Sequence, residues 1–287
     1  MFDATTFTSF DGCEIQYYTV GTGDTWLVIA NGHGATHHVW TDVLERLVLD
    51  FKIVIWDYRG QHGSSGTADR SVARVSDHAR DAQALMAHLA IDTCIMLGWS
   101  LGVQVALESY RRVPDRIHGL VLLHGAHDQL LYRIFGGRLN SAVRLGIHTA
   151  GWALPRAQPW LTPLVVRMLN TRFGFKPLQA IGFVSTVTPG LKKMAIELAG
   201  LDMGQYMKTV VEAGAHRIED MLPDVTVPVA ITGGTRDWLT PESEITRAFE
   251  RLPNAAYHQF SGTHFPLAEE PDRVAEIIQQ LARYAAE

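Results

Sequence analysis

Residues 94–108 read CIMLGWSLGVQVALE, in which a serine between two glycines separates an apolar run from a helical pattern. The apolar run at residues 94–97 is typical of a short buried strand, and residues 103–108 favour a helix. Glycines two residues before and after Ser100 let the strand and the helix approach closely around a sharp turn. Such a turn projects the Ser100 hydroxyl at a helix N-terminus, where the dipole favours negative charge. The segment therefore predicts a nucleophilic serine at a strand-to-helix turn.

Short apolar runs alternate with helical patterns along most of the chain. The predicted strands lie at residues 15–20, 26–30, 53–56, 94–97, 117–123, 227–234 and 255–260, and the predicted helices near residues 39–49, 75–89 and 270–285. The strand at residues 15–20 is expected to belong to an N-terminal antiparallel pair. The alternation predicts an α/β fold with a mostly parallel central sheet flanked by helices. Ligands bind such sheets at the carboxyl ends of the strands, and Ser100 falls at one of these ends.

A serine hydroxyl needs a base to become a good nucleophile, and the base needs an acid that orients it. Asp237 follows the predicted strand at residues 227–234, and His264 follows the strand at residues 255–260. Because the carboxyl ends of parallel strands meet at one edge of a sheet, both side chains are expected near Ser100. The sequence therefore predicts a catalytic triad of Ser100, Asp237 and His264.

Three other residues compete for the acid and base positions. Asp128 is the rival acid, because it comes just after the predicted strand at residues 117–123. His124 ends that strand and could line the substrate pocket without being the base. His258 alternates within the last strand and is expected to face away from the site. We favour Asp237 and His264 over these alternatives.

These segments together resemble the α/β-hydrolase family, in particular its cap-bearing serine esterase, lipase and lactonase branch. Residues 26–34 (WLVIANGHG) are similar to the strand and turn that build half of the family's oxyanion hole. Residues 57–65 (DYRGQHGSS) resemble the family's D-x-R-G-x-G-x-S loop. The resemblance covers residues 6–284. Asn31 departs from the pattern, because the family usually has histidine before that glycine.

The resemblance implies a serine hydrolase that cleaves carboxylic esters through an acyl-enzyme. The backbone N–H groups of His33 and Leu101 would then form the oxyanion hole. A carbon–carbon bond hydrolase, a perhydrolase or haloperoxidase, and an acyltransferase would use the same triad and stay open as alternatives. Ser100 disfavours epoxide hydrolases and haloalkane dehalogenases, which use aspartate at that position. A non-catalytic ligand receptor on the same fold is less favoured, because a receptor needs only the pocket.

Residues 126–225 fit no simple alternation and are predicted to form a helical cap inserted into a core of residues 1–125 and 226–287. The segment is rich in aromatic side chains, which suggest an apolar substrate although most of them are expected to serve packing. These aromatic residues are Tyr132, Phe135, Trp152, Trp160, Phe173, Phe175 and Phe183. The predicted pocket residues near the triad are Trp99, His124, Trp238 and Phe265.

Composition agrees with one globular enzyme, and the family resemblance implies a small-molecule ester as its partner. The formal net charge is −5, from 25 basic and 30 acidic residues, and no basic run interleaved with aromatic residues indicates nucleic-acid binding. Cys13 and Cys94 are too few for a disulfide framework and are expected as buried free thiols. The N-terminus lacks a secretory signal pattern, and no run reaches the roughly 18 apolar residues of a membrane span. A cytoplasmic enzyme without stable membrane insertion is therefore expected.

Neither a metal nor an organic cofactor is expected. His33, His37 and His38 lie close together in the sequence. No cysteine or carboxylate completes a zinc set at the usual spacing, and the glycines around them favour a loop. Asp57 and Arg59 are interpreted as a structural pair within their loop. The oligomeric state is not predicted.

Overall fold

The computed structural model describes residues 3–66, 72–125, 146, 149 and 155–286. Its centre is an eight-stranded sheet. The strands are β1 (Asp3–Thr8), β2 (Glu14–Val20), β3 (Thr25–Ala30), β4 (Phe51–Trp56), β5 (Cys94–Trp99), β6 (Ile117–Leu123), β7 (Val229–Gly234) and β8 (Ala255–Phe260). Their order in the sheet is β1-β2-β4-β3-β5-β6-β7-β8.

The sheet is antiparallel at one edge and parallel elsewhere. Strand β2 pairs antiparallel with β1 and β4, whereas every other neighbouring pair is parallel. The predicted mostly parallel sheet and the antiparallel N-terminal pair are therefore confirmed. Because strands β3 to β8 run in one direction, the loops that follow β3, β5, β7 and β8 meet at one edge of the sheet.

Helices surround the sheet and also occur in the described part of the segment between β6 and β7. They are α1 (Thr41–Leu44), α2 (Val75–His88), α3 (Leu101–Arg112), α4 (residues 155–169), α5 (Lys176–Ala180), α6 (Pro189–Leu198), α7 (Met203–Ala215), α8 (Glu242–Phe249), α9 (Pro266–Glu269) and α10 (Pro271–Ala285). Helices α4 to α7 lie within the predicted cap, and they are referred to below as the cap helices. Within the described residues, no helix is both long and apolar enough to cross a membrane.

The predicted helix near residues 39–49 is shorter than expected. A 3₁₀ turn at His37–Trp40 precedes the four residues of α1, and the chain then continues in tight turns. The N–H of Leu47 donates to the carbonyl of Leu44, an i→i+3 bond typical of 3₁₀ geometry. The apolar periodicity that indicated a helix is satisfied by these turns, which bury Val43, Leu44 and Leu47 equally well.

Apolar layers cover both faces of the sheet. Helices α2, α3 and α8 contribute to one layer, and α1, α9 and α10 contribute to the other. Strand β4 illustrates the alternation: Val54 and Trp56 join the first layer, and Ile53 and Ile55 join the second. Successive strand residues point to opposite faces, so strands covered on both sides are apolar throughout. Cys13 and Cys94 are both buried free thiols, as predicted.

The loop after β4 contains a buried ion pair whose partner differs from the predicted one. Arg59 does not pair with Asp57. Its guanidinium donates to Asp81 from Nε at 2.8 Å and from Nη2 at 2.7 Å, and Nη1 donates to Asp11 at 2.6 Å. Asp57 instead accepts a hydrogen bond from the Tyr18 hydroxyl at 3.0 Å. The prediction was wrong because Asp81 reaches Arg59 from α2, a contact between distant parts of the chain.

Replacing Arg59 with methionine is expected to lower the free energy of unfolding by about 3–5 kcal/mol. The Asp81 side chain is 0% exposed, so the variant leaves a buried carboxylate without its countercharge. Urea denaturation measures the effect. The double variant Arg59→Met/Asp81→Leu is the control, because it replaces both charges with apolar groups and should recover most of the loss. A single variant within about 1 kcal/mol of wild type would contradict this account.

Candidate active site

Ser100 occupies a strained turn between β5 and α3. Its backbone has φ 57° and ψ −118°, a region that few non-glycine residues adopt. A Cβ atom at Gly98 would lie 2.2 Å from the carbonyl oxygen of Gly102, and one at Gly102 would lie 2.0 Å from that of Ala30. Only glycine fits at both positions, as the sequence pattern indicated. The turn places the Ser100 hydroxyl at the N-terminus of α3.

Ser100, His264 and Asp237 form a connected hydrogen-bonded chain. The Ser100 Oγ lies 2.8 Å from Nε2 of His264, and Nδ1 of His264 lies 2.8 Å from Oδ2 of Asp237. His264 comes from the loop after β8, and Asp237 from the turn after β7. The indole N–H of Trp99 donates to the His264 carbonyl at 3.1 Å and holds that loop against β5. The structure therefore brings together the three residues of the predicted triad.

The environment of Asp237 keeps its carboxylate ionised. Burial alone would raise the pKa of Asp237, but the adjacent His264 and hydrogen bonds from Thr240 outweigh it and lower the pKa below its usual value. Oδ1 accepts the backbone N–H groups of Leu239 and Thr240, both at 3.0 Å. Oδ2 accepts the Thr240 hydroxyl at 2.6 Å in addition to His264. A carboxylate with this many donors is suited to orient an imidazole.

The loop after β3 is fixed from beneath by Asn31. Its Oδ1 accepts the indole N–H of Trp40 at 2.9 Å and the backbone N–H of Gly32 at 3.2 Å. Its side-chain amide nitrogen donates to the backbone carbonyl of Ala35 at 3.1 Å. Its backbone carbonyl accepts a hydrogen bond from the Tyr58 hydroxyl at 2.7 Å. Asn31 is 1% exposed, and all of these bonds are internal to the protein. Asparagine therefore braces this loop where the family usually has histidine.

His33 joins this loop to the cap helices. Its Nδ1 accepts from the Gln61 amide at 2.9 Å, and its Nε2 donates to the backbone carbonyl of Tyr206 in α7 at 3.0 Å. Burial lowers the pKa of His33 to about 4, so the ring is neutral at pH 7. Across the described part of the chain, the backbone N–H groups of His33 and Leu101 donate to no protein acceptor. Both N–H groups are therefore available to a substrate oxygen.

A model of the α/β-hydrolase family matches residues 27–277, most of the chain. The chain belongs to the α/β-hydrolase family. Ser100, Asp237 and His264 all lie within the matched range. Membership agrees with the eight-stranded sheet and supports a hydrolase.

Relatives of this hydrolase family member include proteins of several activities. Over 273 residues it is 25% identical to a Rhizobium rhizogenes protein named as a carbamate hydrolase, RutD, covering 91% of this chain and 94% of that one. A match of 108 residues, 32% identical, covers 38% of this chain and 39% of a Sodalis glossinidius pimeloyl-acyl-carrier-protein methyl ester esterase. A solved esterase structure from Thermogutta terrifontis superposes with a TM-score of 0.76 at 19% identity, covering 99% of both chains, and shows the shared fold.

In this α/β-hydrolase family member, the rival acid and base residues do not join the triad as far as they are described. His124 is 0% exposed, and its Nδ1 lies 2.8 Å from the Thr232 hydroxyl. Burial lowers the pKa of His124 to about 3, so it stays neutral under the triad. His258 lies within β8 and has no hydrogen bond to Ser100 or Asp237. Asp128 lies outside the described residues.

A largely apolar cavity of about 520 Å³ opens onto the triad. Trp99, Phe265, Ser100 and His264 line it beside many side chains of the cap helices. No Asp, Glu, Lys or Arg is found among the described residues that line it. The cavity is therefore suited to an uncharged, apolar group next to the reacting atoms.

The predicted pocket residues divide into two groups. Trp99 and Phe265 line the cavity, whereas His124 is buried beneath it and does not. Trp238 is 53% exposed and also stays outside the lining, although its ring lies 5.6 Å from that of Phe183, which does line it. The turn after β7 directs Leu239 inward instead of Trp238.

The cavity wall includes aliphatic residues that the sequence analysis missed. Helix α6 contributes four residues at i, i+3, i+4 and i+7, which is one helix face: Leu191, Met194, Ala195 and Leu198. That periodicity was visible in the sequence, but it is also typical of ordinary core packing. Of the cap aromatics, Phe175 and Phe183 line the cavity, whereas Trp160 and Phe173 are exposed. Tyr132, Phe135 and Trp152 lie outside the described residues.

The histidine group at residues 33–38 forms no metal centre in the parts of the chain that are described. No set of three or more His, Cys, Asp or Glu side chains there could hold a metal ion. The rings of His37 and His38 lie with their centroids 3.8 Å apart, and His38 Nε2 lies 3.5 Å from Glu197. The His33 ring faces Gln61 and Tyr206 instead of its histidine neighbours.

Proposed function

We propose that this protein hydrolyses carboxylic esters with an apolar acyl or alcohol part, with Ser100 as the nucleophile. One observation carries the proposal: the hydrogen-bonded chain from Ser100 through His264 to Asp237 opens onto a cavity in which none of the described lining residues is charged. Family membership supports a hydrolase but leaves the bond it cleaves open.

His264 acts as the base in the first half of the reaction. Its Nδ1–H donates to Asp237, so the Nε2 lone pair faces the Ser100 hydroxyl. As Ser100 Oγ attacks the ester carbonyl carbon, its proton passes to Nε2, and Asp237 stabilises the resulting imidazolium. The carbon–oxygen bond to the alcohol then breaks, and Nε2 returns the proton to the departing oxygen. The product is an ester between Ser100 and the acyl group.

Water completes the reaction by the same proton route. His264 takes a proton from a water molecule as its oxygen attacks the acyl carbon, and then protonates Ser100 Oγ as the acid departs. In both halves negative charge develops on the carbonyl oxygen. The backbone N–H groups of His33 and Leu101 are the donors proposed for that oxygen, and the α3 N-terminus favours the same charge. No metal or organic cofactor takes part in this sequence of steps.

The cavity sets the proposed substrate class. Its wall comes mainly from helices and loops of the predicted cap segment, so we propose that residues 126–225 act as a cap over a core of residues 1–125 and 226–287. Each methylene that moves from water into an apolar cavity contributes about 0.8 kcal/mol, or roughly a fourfold gain in binding. A short charged acid would lose its hydration without gaining a partner there.

Hydrolysis of p-nitrophenyl esters with acyl chains from C2 to C12 tests this proposal. We expect kcat/KM to rise by up to about fourfold per methylene until the cavity is filled, and then to fall. The Ser100→Ala variant should be inactive on every ester, and a fluorophosphonate probe should label wild type but not this variant. Labelling of Ser100 without turnover of any ester would contradict the esterase proposal and favour a carbon–carbon bond hydrolase or an acyltransferase. If the probe does not label the folded wild-type protein, the assignment of Ser100 as the nucleophile is contradicted.

A further inference from the structure

The charges of the chain are segregated along its sequence. Residues 129–196 contain nine of the 25 Lys and Arg residues and none of the 30 Asp and Glu residues. The other 219 residues therefore include 16 basic and 30 acidic residues. The chain thus contains a strongly basic segment although its total charge is negative. This segment includes α4, α5 and most of α6 among the described helices.

Helix α4 presents a mixed basic and apolar face to solvent. Arg156, Trp160, Leu164 and Arg167 follow one another at spacings of four, four and three, which places them on one side of a helix. All four are exposed, and Trp160 is 79% exposed. The opposite side carries Leu169, which lines the cavity. The helix therefore has one face on the substrate cavity and another on the solvent.

Exposed apolar side chains are concentrated in the same segment. Of the ten large apolar residues that are exposed in the described chain, six lie between residues 160 and 181: Trp160, Leu161, Leu164, Met168, Phe173 and Ile181. Large apolar side chains grouped at a surface usually mark a binding region, whereas single ones do not.

Three basic residues beside these exposed apolar side chains have no carboxylate partner in the described part of the chain. No carboxylate lies within ion-pair distance of Arg167, Arg172 or Lys176 in the described residues, although other surface arginines have such partners. The Arg172 guanidinium lies 4.4 Å from the centroid of the Phe173 ring. Cations that flank exposed apolar side chains suit a membrane interface, because the cations meet lipid phosphates while the apolar groups reach the acyl boundary.

We propose that this face docks the protein peripherally on an anionic lipid membrane. The cap docking face is defined as the exposed α4 side chains Arg156, Trp160, Leu164 and Arg167, together with the exposed Arg172 and Phe173 of the turn that follows α4. Its cations would bind lipid phosphates, and its apolar side chains would enter the boundary between headgroups and acyl chains. The docking requires no membrane-spanning segment and does not depend on the proposed esterase activity.

Met168 connects the docking face to the substrate cavity. This residue is one of the six exposed apolar residues, at 45% exposure, and it also lines the cavity. An apolar substrate dissolved in a bilayer could therefore enter from the docked side. This continuity favours lipid over nucleic acid, which would be bound by the cations alone. The positive charge of the face disfavours a second copy of the chain as the partner, because two such faces would repel each other.

Vesicle co-sedimentation of the Ser100→Ala protein tests the docking without hydrolysis of the lipid. We expect at least tenfold tighter binding to vesicles with 30% phosphatidylglycerol than to pure phosphatidylcholine, and weaker binding in 0.5 M NaCl. Adding Arg167→Ala/Arg172→Ala should weaken binding to the anionic vesicles by roughly 25-fold, about fivefold per cation. Adding Trp160→Ala/Leu164→Ala should weaken vesicle binding both with and without 0.5 M NaCl.

A matched control removes two exposed arginines elsewhere. Arg217→Ala/Arg283→Ala changes the net charge equally, and its vesicle binding should stay within about threefold of the parent protein. If both double arginine variants lose vesicle binding equally, binding depends only on net charge, and the proposal is overturned. Vesicle binding that does not depend on the charge of the lipid would also overturn the proposal. Binding to a polynucleotide without binding to vesicles would do the same. A dimer that only the face variants dissociate, with no vesicle binding, would identify a self-association surface instead.

Discussion

Replacing His264 with alanine should lower kcat/KM for ester hydrolysis by about 10⁴- to 10⁶-fold. The Ser100 Oγ lies 2.8 Å from His264 Nε2 and has no other side-chain base within hydrogen-bond distance among the described residues. His124 cannot replace it, because that ring is fully buried and hydrogen-bonded to Thr232. Without the base, Ser100 attacks as a neutral hydroxyl, which is a poor nucleophile at pH 7.

The double variant Ser100→Ala/His264→Ala provides the sharper measurement. Residues that act as one unit show strongly non-additive losses, so the double variant should be no slower than the Ser100→Ala variant. Additive losses would mean that His264 acts independently of Ser100 and would contradict the triad. Thermal unfolding of each variant should stay close to that of wild type, which separates lost catalysis from lost folding.

Replacing Asp237 with asparagine should lower kcat by about 10⁴-fold while the fold is retained. The carboxylate accepts the Nδ1–H of His264 at 2.8 Å, whereas an amide can present an N–H to that nitrogen. The imidazole would then carry its proton on Nε2 and could not accept the Ser100 proton. The backbone N–H groups of Leu239 and Thr240 can still bond to the asparagine oxygen, so little stability should be lost.

Asp128→Asn is the matched control for this prediction. Asp128 follows β6 in the sequence and lies outside the described residues. We expect this variant to keep kcat within about threefold of wild type. A 10⁴-fold loss in Asp128→Asn, with Asp237→Asn nearly normal, would transfer the role of the acid to Asp128.

The pH dependence follows from the same site. The pKa of Asp237 is lowered in the folded protein, so its carboxylate is stabilising above the pKa of the unfolded chain. That stabilisation is lost only as the pH falls through the lowered folded pKa, well below neutrality. Between pH 7 and pH 5 the Asp237 carboxylate should therefore stay ionised, and acidification over this range should not unfold the protein through this group. Circular dichroism across the same range checks this.

The net charge of −5 conceals the feature on which the docking proposal rests. The net charge of the whole chain adds the positive charge of residues 129–196 to the larger negative charge of the remaining residues. The sequence therefore predicted no charged partner. The exposure of Trp160 and Leu164 next to Arg167 became visible only with the helix in place, since the same apolar residues could have faced the core.

Local sequence patterns were enough to predict seven of the eight strands, the serine turn and the order of the candidate catalytic residues. These follow from local signals, because apolar runs specify buried strands and the two glycines specify the turn at Ser100. Strands β6 and β8 begin and end at the predicted residues, Ile117–Leu123 and Ala255–Phe260. Parallel pairing then brings the loops after them to one edge of the sheet.

Contacts between groups far apart in the chain became visible only in the folded structure. Arg59 pairs with Asp81 instead of its loop neighbour Asp57, and His124 is buried beneath the cavity instead of lining it. The cavity wall takes its aliphatic side chains from several cap helices. A helix face with apolar periodicity can pack against a sheet, line a cavity or remain exposed. Which of these occurs depends on contacts between residues far apart in the chain, and local sequence patterns do not encode them.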